Sequence, residues 1–269
     1  MKSIHIGALQ LPTLGMNATR LEFYLRNAKE RGARTLLFGE YVLNHFFREI
    51  EEMPRSMVKE QTKTHFTLLQ RMSAEYDISF IAPMVLVKKK RYYKSILHIS
   101  PKKTDYYYQQ ILMPYEHWNE KRFFSNDTDS PISGPMIIDI DGFKAAVMSG
   151  YELHFDEMWR DLGRKKVDIV FLPTASTFGS HNRWRELIKS RAFLSGCYIL
   201  RANRLGEYSD GKNRWRFYGD TMLVNPEGEV EMMLEDRESM LIEPIKRSMV
   251  KEHRKSWRFE RLTAGRVDR

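Results

Sequence analysis

The chain has 269 residues, of which 42% are apolar and 29% charged, and this composition excludes a disordered protein. A single cysteine, Cys197, excludes a fold held by intrachain disulfides. Basic residues outnumber acidic ones by 44 to 35, which gives a net charge of +9. A basic surface attracts nucleic acid or acidic lipid, but no helix-turn-helix, zinc-finger or RNA-binding motif accompanies the charge. We therefore expect no nucleic-acid partner.

The first half of the chain alternates between strand and helix patterns. Strands are predicted where apolar residues alternate or run together, and helices where they recur every three or four residues. The predicted order is strand, helix, strand, helix, strand, strand, over IHIGALQL, ATRLEFYLRNAKERG, RTLLFGE, MVKEQTKTHFTLLQRMSAEYD, ISFIAPMVLVKK and RYYKSILHIS. The next segment, TDYYYQQILMPYEHWNEKRFF, begins as a strand and ends as a loop.

The second half adds a hairpin, two helices and further strands. MIIDIDGFKAAVMS predicts two strands around an Asp-Gly turn. After it come a helix, a strand, a helix and three strand segments, over ELHFDEMWRDLGRKK, VDIVFLPTAS, SHNRWRELIKSRAFLSG, CYILRANRLG, FYGDTMLVNPEGEV and SMLIEPI. Strands that are apolar throughout need helices over the sheet, so we expect one layered α/β domain over residues 1–269, with a basic tail at 245–269.

The sequence carries no pattern typical of a membrane or secreted protein. The opening MKSIHIGALQLP lacks the apolar length and the small-residue cleavage site of a signal peptide. No run approaches the ~20 apolar residues that a membrane span requires. We expect a cytoplasmic protein with no membrane span.

Polar residues follow three of the predicted strands. Glu40 follows TLLFG, Glu120 lies in PYEHWNEKRFF, and Ser149 and Gly150 follow AAVM. In α/β sheets, ligands are met at the carboxyl ends of strands. These residues are therefore the candidates for a functional site.

In their order along the chain, these blocks resemble the nitrilase superfamily, also called the carbon-nitrogen hydrolases. The resemblance covers nearly the whole sequence. The blocks that carry it are IGALQLP, GARTLLFGEYVL, PYEHWNEKRFF, AAVMSGYELHFDEMWRDL, VDIVFLPTAS, RWRELIKSRAFLSGCYILRANRLG and FYGDTMLVNPEGEV.

The resemblance implies a four-layer α-β-β-α sandwich with mixed sheets and, in active members, amide or nitrile hydrolysis through a cysteine thioester. Glu40 falls on the family's general base and Glu120 on its second glutamate. The family's lysine precedes a proline by four residues, which places Gln110 at that position in QILMP. Gly150 falls on the nucleophile, where the family has cysteine.

These two departures remove the usual chemistry. Glycine has no attacking group, and Cys197 lies in another block, where we expect a buried structural thiol. Ser149 is one residue too early, and the alternation of a strand predicts that it faces away from Glu40 and Glu120. Because a neutral Gln110 leaves two carboxylates without a cation, we expect Gln110 to hydrogen-bond one of them.

Three functions remain open. The chain is a degenerate member that binds a small amide or carboxylate ligand, an active hydrolase with another nucleophile or a Glu40-activated water, or a basic nucleic-acid or membrane module. The resemblance further implies that Tyr151 offers its backbone N–H to the ligand, with Trp118 and Thr174 as weaker candidates for the pocket lining.

The sequence supports no metal site and suggests no cofactor. His154 has neither a cysteine nor a second histidine close to it. The segment ELHFDEMWRDL carries more apolar residues than one buried stripe requires, so we expect at least a homodimer.

Overall fold

A computed structural model of the chain describes residues 2–16, 19–160, 162–259 and 262. The first half contains β1 (Ser3–Gln10), α1 (Thr19–Glu30), β2 (Ala33–Phe38), α2 (Phe47–Ile50), α3 (Arg55–Tyr76), β3 (Ser79–Lys88), β4 (Arg91–Ile99), β5 (Thr104–Tyr108), β6 (Pro114–Tyr115), β7 (Trp118–Asn119) and α4 (Glu120–Phe123). The second half contains β8 (Met136–Ile140), β9 (Phe143–Val147), two 3₁₀ segments (Gly150–His154 and Asp156–Met158), β10 (Ile169–Thr174), α5 (His181–Ser195), β11 (Tyr198–Asn203), β12 (Leu205–Ser209), β13 (Arg214–Tyr218), β14 (Met222–Val224), β15 (Val230–Met233), β16 (Ser239–Lys246) and α6 (Arg247–Trp257).

Two six-stranded sheets form the centre of the molecule. The first has the order β16-β1-β2-β3-β4-β5 and the second the order β15-β14-β11-β10-β9-β8. Parallel and antiparallel pairs occur in both: β1 is parallel to β2 and antiparallel to β16, and β10 is parallel to β11, which is antiparallel to β14. The sheets pack face to face, since β1 and β2 contact β10 and β11.

Helices cover the outer faces of both sheets. Helices α1 and α3 pack on β2, β3 and β4, while α5 packs on β11 and β14. Leu21, Leu25 and Ala28, which recur at helical spacing, form the buried side of α1. The predicted four-layer α-β-β-α sandwich with mixed sheets is confirmed.

The predicted Asp-Gly hairpin joins β8 to β9. Asp141 and Gly142 have φ values of 49° and 79°. Two successive residues with positive φ are what a tight hairpin turn needs, and this dipeptide adopts them with little strain. The chain therefore enters β9, and the turn that follows β9, in a fixed register.

The helix predicted over ELHFDEMWRDLGRKK is the clearest difference from the sequence analysis. This segment forms the two short 3₁₀ segments, separated by Phe155 in an extended conformation. Its apolar residues Leu153, Met158 and Leu162 are buried in the chain's own core. They therefore give no surplus apolar surface, and the homodimer stays a prediction.

Part of the predicted basic tail is ordered secondary structure. Residues 245–246 end β16, and α6 follows, with Val250 and His253 buried against the body of the protein. Residues 260–261 and 263–269 lie outside the described part of the chain. Among the described residues, no helix combines the length and apolarity that crossing a membrane demands.

Candidate active site

Glu40 follows β2 where the two sheets meet. Its backbone N–H donates to the carbonyl of Thr174 at the end of β10, at 3.1 Å, so both sheets fix its position. The next residue, Tyr41, has a φ of 59°, a left-handed conformation that is uncommon for a large side chain. Sharp turns of this kind concentrate at functional sites.

Glu120 begins α4 and is fully buried. Its Oε1 accepts hydrogen bonds from the Tyr41 hydroxyl at 2.8 Å and from Lys94 Nζ at 2.7 Å. Its Oε2 has no hydrogen-bond partner among the described residues. A buried carboxylate oxygen in this state is an acceptor available to a ligand N–H.

Lys94 on β4 joins the two carboxylates. Its Nζ lies 2.8 Å from Glu40 Oε2 and 2.7 Å from Glu120 Oε1, and only 7% of its side chain is exposed. Burial alone would lower the pKa of Lys94, but the charges of Glu120 and Glu40 outweigh burial and hold the pKa above its ordinary value. We call Glu40, Lys94 and Glu120 the carboxylate-lysine site; with both carboxylates ionised its net charge is −1.

Lys94 was not among the residues predicted from the sequence, which placed Gln110 in this region. The Gln110 amide donates to the Gly134 carbonyl at 2.8 Å and to the Tyr107 hydroxyl at 3.0 Å, and accepts from Ser133 N–H at 2.7 Å. The predicted hydrogen bond from Gln110 to Glu40 or Glu120 is therefore wrong. The cation beside Glu40 and Glu120 is instead Lys94, which lies on β4.

A signal for Lys94 is visible in the sequence once the pairing is known. Lys94 begins the buried segment KSILHI of β4, and its carbonyl accepts from the N–H of Gln109 at 3.2 Å. A lysine inside a buried strand needs a charged partner, which makes it a candidate for a site.

The turn after β9 brings Ser149 to this site. Its Oγ lies 2.6 Å from Glu40 Oε1 and 2.8 Å from Gln109 Oε1. A hydroxyl has one hydrogen, and the charged carboxylate is the stronger acceptor. The prediction that Ser149 faces away was wrong, because β9 ends at Val147 and the strand alternation ends with it.

A family model described as carbon-nitrogen hydrolase matches residues 6–255. The chain belongs to the carbon-nitrogen hydrolase family. It is 22% identical to an N-carbamoylputrescine amidase of Arabidopsis thaliana over 259 residues, which cover 91% of this chain and 86% of the relative.

Solved structures of the family share the fold. A carbon-nitrogen hydrolase from Helicobacter pylori G27 has a TM-score of 0.84 at 20% identity, over 97% of this chain and 95% of the other. Nit3 of Saccharomyces cerevisiae, a member of branch 10 of the nitrilase superfamily, has a TM-score of 0.77 at 17% identity, over 99% and 97%.

Gly150, at the position where the family resemblance places the nucleophile, is enclosed by β10. A Cβ at this position would lie 2.6 Å from Thr174 Cγ2 and 2.9 Å from the Pro173 carbonyl oxygen. Both distances are far below van der Waals contact, and one of the two atoms belongs to the backbone. The Gly150 N–H donates to Glu40 Oε1 at 3.2 Å. This turn of the carbon-nitrogen hydrolase fold has therefore closed around a residue without a side chain.

Glu152 holds the turn after β9 in place through its carboxylate. Its carboxylate accepts from the N–H groups of Ser149 at 2.8 Å and Gln110 at 2.7 Å, and from the Tyr107 hydroxyl at 2.8 Å. Complete burial raises the pKa of Glu152 to about 7, although these hydrogen bonds act in the opposite direction. Glu152 was not among the site residues predicted from the sequence.

The three predicted lining residues occupy different environments. Tyr151 is half-buried, and its hydroxyl lies 3.1 Å from that of Tyr115. Trp118 is buried against Phe46, with ring centroids 4.9 Å apart, in an aromatic core. Thr174 packs against Gly150, and its hydroxyl donates to Asn203 Oδ1 at 2.9 Å. Their ligand-binding roles stay predictions.

Cys197 is buried at the start of β11, in the core cluster that lies around the second sheet. The described residues contain no group of three or more histidine, cysteine, aspartate or glutamate side chains arranged to hold a metal ion.

Proposed function

We propose that this chain is a carbon-nitrogen hydrolase family member that does not use thioester chemistry and binds a small amide-type ligand at the carboxylate-lysine site. The observation that carries the proposal is the packing of Gly150 against Thr174 and the Pro173 carbonyl. A covalent thioester needs a thiol at this turn. The turn holds no thiol, and a thiol would not fit without movement of β10.

The charge of the site narrows the ligand class. The site has two buried carboxyl groups and one buried ammonium group, and this excess of carboxyl groups disfavours a free carboxylate ligand. The open Oε2 of Glu120 accepts an N–H. A neutral amide or a cationic carbamoyl amine meets both conditions, and the Arabidopsis relative is an N-carbamoylputrescine amidase.

An aromatic group near the site offers a route of entry. Burial, then the Tyr115 hydroxyl, then the charge of Glu120 raise the pKa of Tyr151, so this ring lies within the field of the site. Tyr115 stacks on His117, with centroids 5.9 Å apart, and His117 contacts Phe178 at 5.7 Å. Tyr115, His117 and Phe178 are exposed, so they can move aside for a ligand without unfolding a core.

The test combines a binding and a turnover measurement. N-carbamoylputrescine, simple amides and ω-amidated dicarboxylates are incubated with the protein, and we expect no ammonia release. Calorimetry should detect N-carbamoylputrescine binding that is lost in Glu120→Gln and kept in the matched exposed variant Glu116→Gln. Ammonia release that disappears in Glu40→Gln would contradict the proposal.

A second candidate, hydrolysis through Ser149, is favoured by the 2.6 Å contact between its Oγ and Glu40 Oε1. Glu40 would take the hydroxyl proton as Oγ attacks the carbonyl carbon. The C–N bond would then break as this proton passes to the leaving amine. Water, deprotonated by Glu40, would cleave the Ser149 ester and restore the hydroxyl.

The variant Ser149→Ala separates the two candidates. Under the second candidate, ammonia release from an amide is abolished by Ser149→Ala, and an acyl ester on Ser149 is seen by mass spectrometry after rapid quenching. Under the proposal, neither the wild type nor the variant releases ammonia, and both bind the ligand.

A further inference from the structure

A second concave site lies on the opposite side of the second sheet from the carboxylate-lysine site. It has a volume of about 450 Å³ and lies between the end of α5, the loop before β10 and helix α6. This volume is in the range of small-molecule sites. We call it the basic cleft, after its cationic lining residues Lys166, Arg247, Lys251, Arg254, Lys255 and Arg258.

The cations are arranged along one face of α6. Arg247, Lys251 and Lys255 are spaced by four residues, and Arg254 and Arg258 follow the same spacing. Like charges at this spacing destabilise a helix. The face therefore opposes helix stability unless an anion lies against it.

One carboxylate lines the cleft, and it is already engaged. Asp168 Oδ2 accepts from Arg247 Nη2 at 3.0 Å and from the Lys144 N–H at 3.0 Å. Arg254 also lies near this carboxylate, with Nη1 4.0 Å from Asp168 Oδ1, and it donates to the Val167 carbonyl. The lining thus has six cationic groups and one carboxylate, which leaves an excess of positive charge around the concave space.

The wall between α5 and α6 is preformed. His253 is buried, with Nδ1 2.9 Å from Glu227 Oε1 and Nε2 2.9 Å from the Phe193 carbonyl oxygen. Gly196 ends α5 in the left-handed conformation, and a Cβ there would lie 2.7 Å from His253 Cδ2. A site whose walls are fixed before binding loses less conformational entropy on binding.

Aromatic rings complete the lining. Trp257 stacks on Phe259 with centroids 5.6 Å apart and planes 27° apart, and both rings line the cleft. Trp257 is 45% exposed, so it presents a face to an incoming ring. Nucleic-acid bases stack on such faces, and neighbouring cations bind phosphate.

We propose that the basic cleft binds a nucleoside phosphate, with the base on Trp257 and the phosphates on the cationic face of α6. Its volume suits one nucleotide rather than a long strand. The Trp257 ring favours a ligand that carries a base as well as phosphate. The cationic residues favour a ligand that carries phosphate as well as a nucleoside. This site is separate from Glu120, so its occupancy is independent of the amide-binding function.

Calorimetry on the full chain at about 0.1 M salt, where exposed charges are partly screened, tests the proposal with ATP, AMP, adenosine and inorganic phosphate. ATP should bind more tightly than AMP, and adenosine and phosphate should bind more weakly than either. Lys251→Glu and Lys255→Glu, both at exposed positions, should each weaken ATP binding about tenfold. The matched variant Lys102→Glu, which changes the net charge equally on the far side, should bind ATP as the wild type does.

Two further variants separate the parts of the site. Trp257→Ala should weaken ATP and AMP binding but leave pyrophosphate binding unchanged. Glu120→Gln should leave ATP binding unchanged, which keeps this test distinct from the one on the amide ligand. The proposal is overturned by absent ATP binding, by equal losses in Lys102→Glu and Lys251→Glu, or by tighter binding of single-stranded RNA than of ATP.

Discussion

The two sides of the carboxylate-lysine site differ in the side chains that they hold. The side built on the first sheet holds Glu40 and Lys94, which together with Glu120 keep a complete charge arrangement. The side built on the second sheet has glycine where the family resemblance places the nucleophile, and β10 fills the space beside it. The two sides meet where the Gly150 N–H donates to Glu40, and the charged side chains come from the first side and Glu120.

Folding stability explains this difference without reference to catalysis. Removing one member of a buried ion pair leaves an uncompensated charge and is strongly destabilising. Replacing a nucleophile by glycine and filling the space beside it leaves no uncompensated charge. Glu40, Lys94 and Glu120 are therefore required by the core itself, and their presence alone does not indicate that the protein is a hydrolase.

The largest expected effect comes from Lys94→Met. Glu40 and Glu120 would then be buried without a cation, and we expect a loss of about 3–5 kcal/mol in the free energy of unfolding. Urea unfolding at pH 8 measures the loss.

Lys102→Met, at an exposed position, is the matched control and should change stability little. Adding Glu120→Gln to Lys94→Met should recover part of the loss, because the pair is directly coupled. A loss below about 1 kcal/mol at pH 8, the size of an exposed ion pair, would mean that Lys94 does not stabilise the carboxylates.

The variant Gly150→Ala tests the side of the site that is built on the second sheet. The new Cβ meets Thr174 Cγ2 and the Pro173 carbonyl, and overpacking of this kind costs about 1–3 kcal/mol. Thr174→Ser removes the obstructing methyl and keeps the hydroxyl that bonds Asn203, so the double variant should be more stable than the sum of the two single losses predicts.

Gly179→Ala is the control for this series, since a Cβ there has nothing within 4 Å. Thermal unfolding of the wild type and the four variants compares them. Equal losses for Gly150→Ala and Gly179→Ala would show that the turn has room for a side chain, and the case against a thiol at position 150 would fail.

Glu152, which accepts hydrogen bonds at the turn after β9, predicts a pH dependence of the folding stability. Burial raises the pKa of Glu152 to about 7 from its ordinary 4.5, so between these pH values the folded protein holds a proton that the unfolded chain releases. Its contribution to stability is complete below pH 4.5 and decreases as pH rises toward 7, by on the order of 1 kcal/mol per pH unit.

Glu152→Gln cannot titrate, so its stability should vary less between pH 5 and pH 7 than that of the wild type. Urea midpoints at several pH values measure both proteins. Identical slopes would show that Glu152 does not titrate in this range, and the pH dependence would have to come from other groups.

The smallest effect is expected for Ser149→Ala. It removes the hydrogen bond to Glu40 while Lys94 and the Gly150 N–H still bind that carboxylate, so we expect a loss of about 1 kcal/mol. A loss comparable to that of Lys94→Met would mean that the two sides of the site depend on each other more than the contacts suggest.

Most strands, and the positions of Glu40 and Glu120 near one another, could be predicted from sequence because apolar pattern and block order are local properties. Lys94 could not, because its role depends on the pairing of β4 with β5. The enclosure of Gly150 depends on how closely β10 approaches, which no pattern of residues near position 150 records.

The structure of the turn after β9 also could not be predicted from sequence periodicity. Apolar spacing predicted an α-helix there, and strand alternation predicted the wrong side for Ser149. Both rules assume that regular structure continues, whereas the chain changes to a 3₁₀ segment at Gly150 with Glu152 bonded back to the Ser149 N–H. A side-chain hydrogen bond to the backbone overrode both periodicities.

The location of Lys94 bears on how divergent relatives of this family are recognised. The family resemblance places Gln110 at the lysine position, so the sequence predicts a site without a cation. In a sheet, however, neighbouring strands border the same point in space, and Lys94 on β4 supplies the ammonium group to Glu40 and Glu120 there. Inventories of missing catalytic residues are therefore better taken from three-dimensional neighbourhoods than from alignment columns.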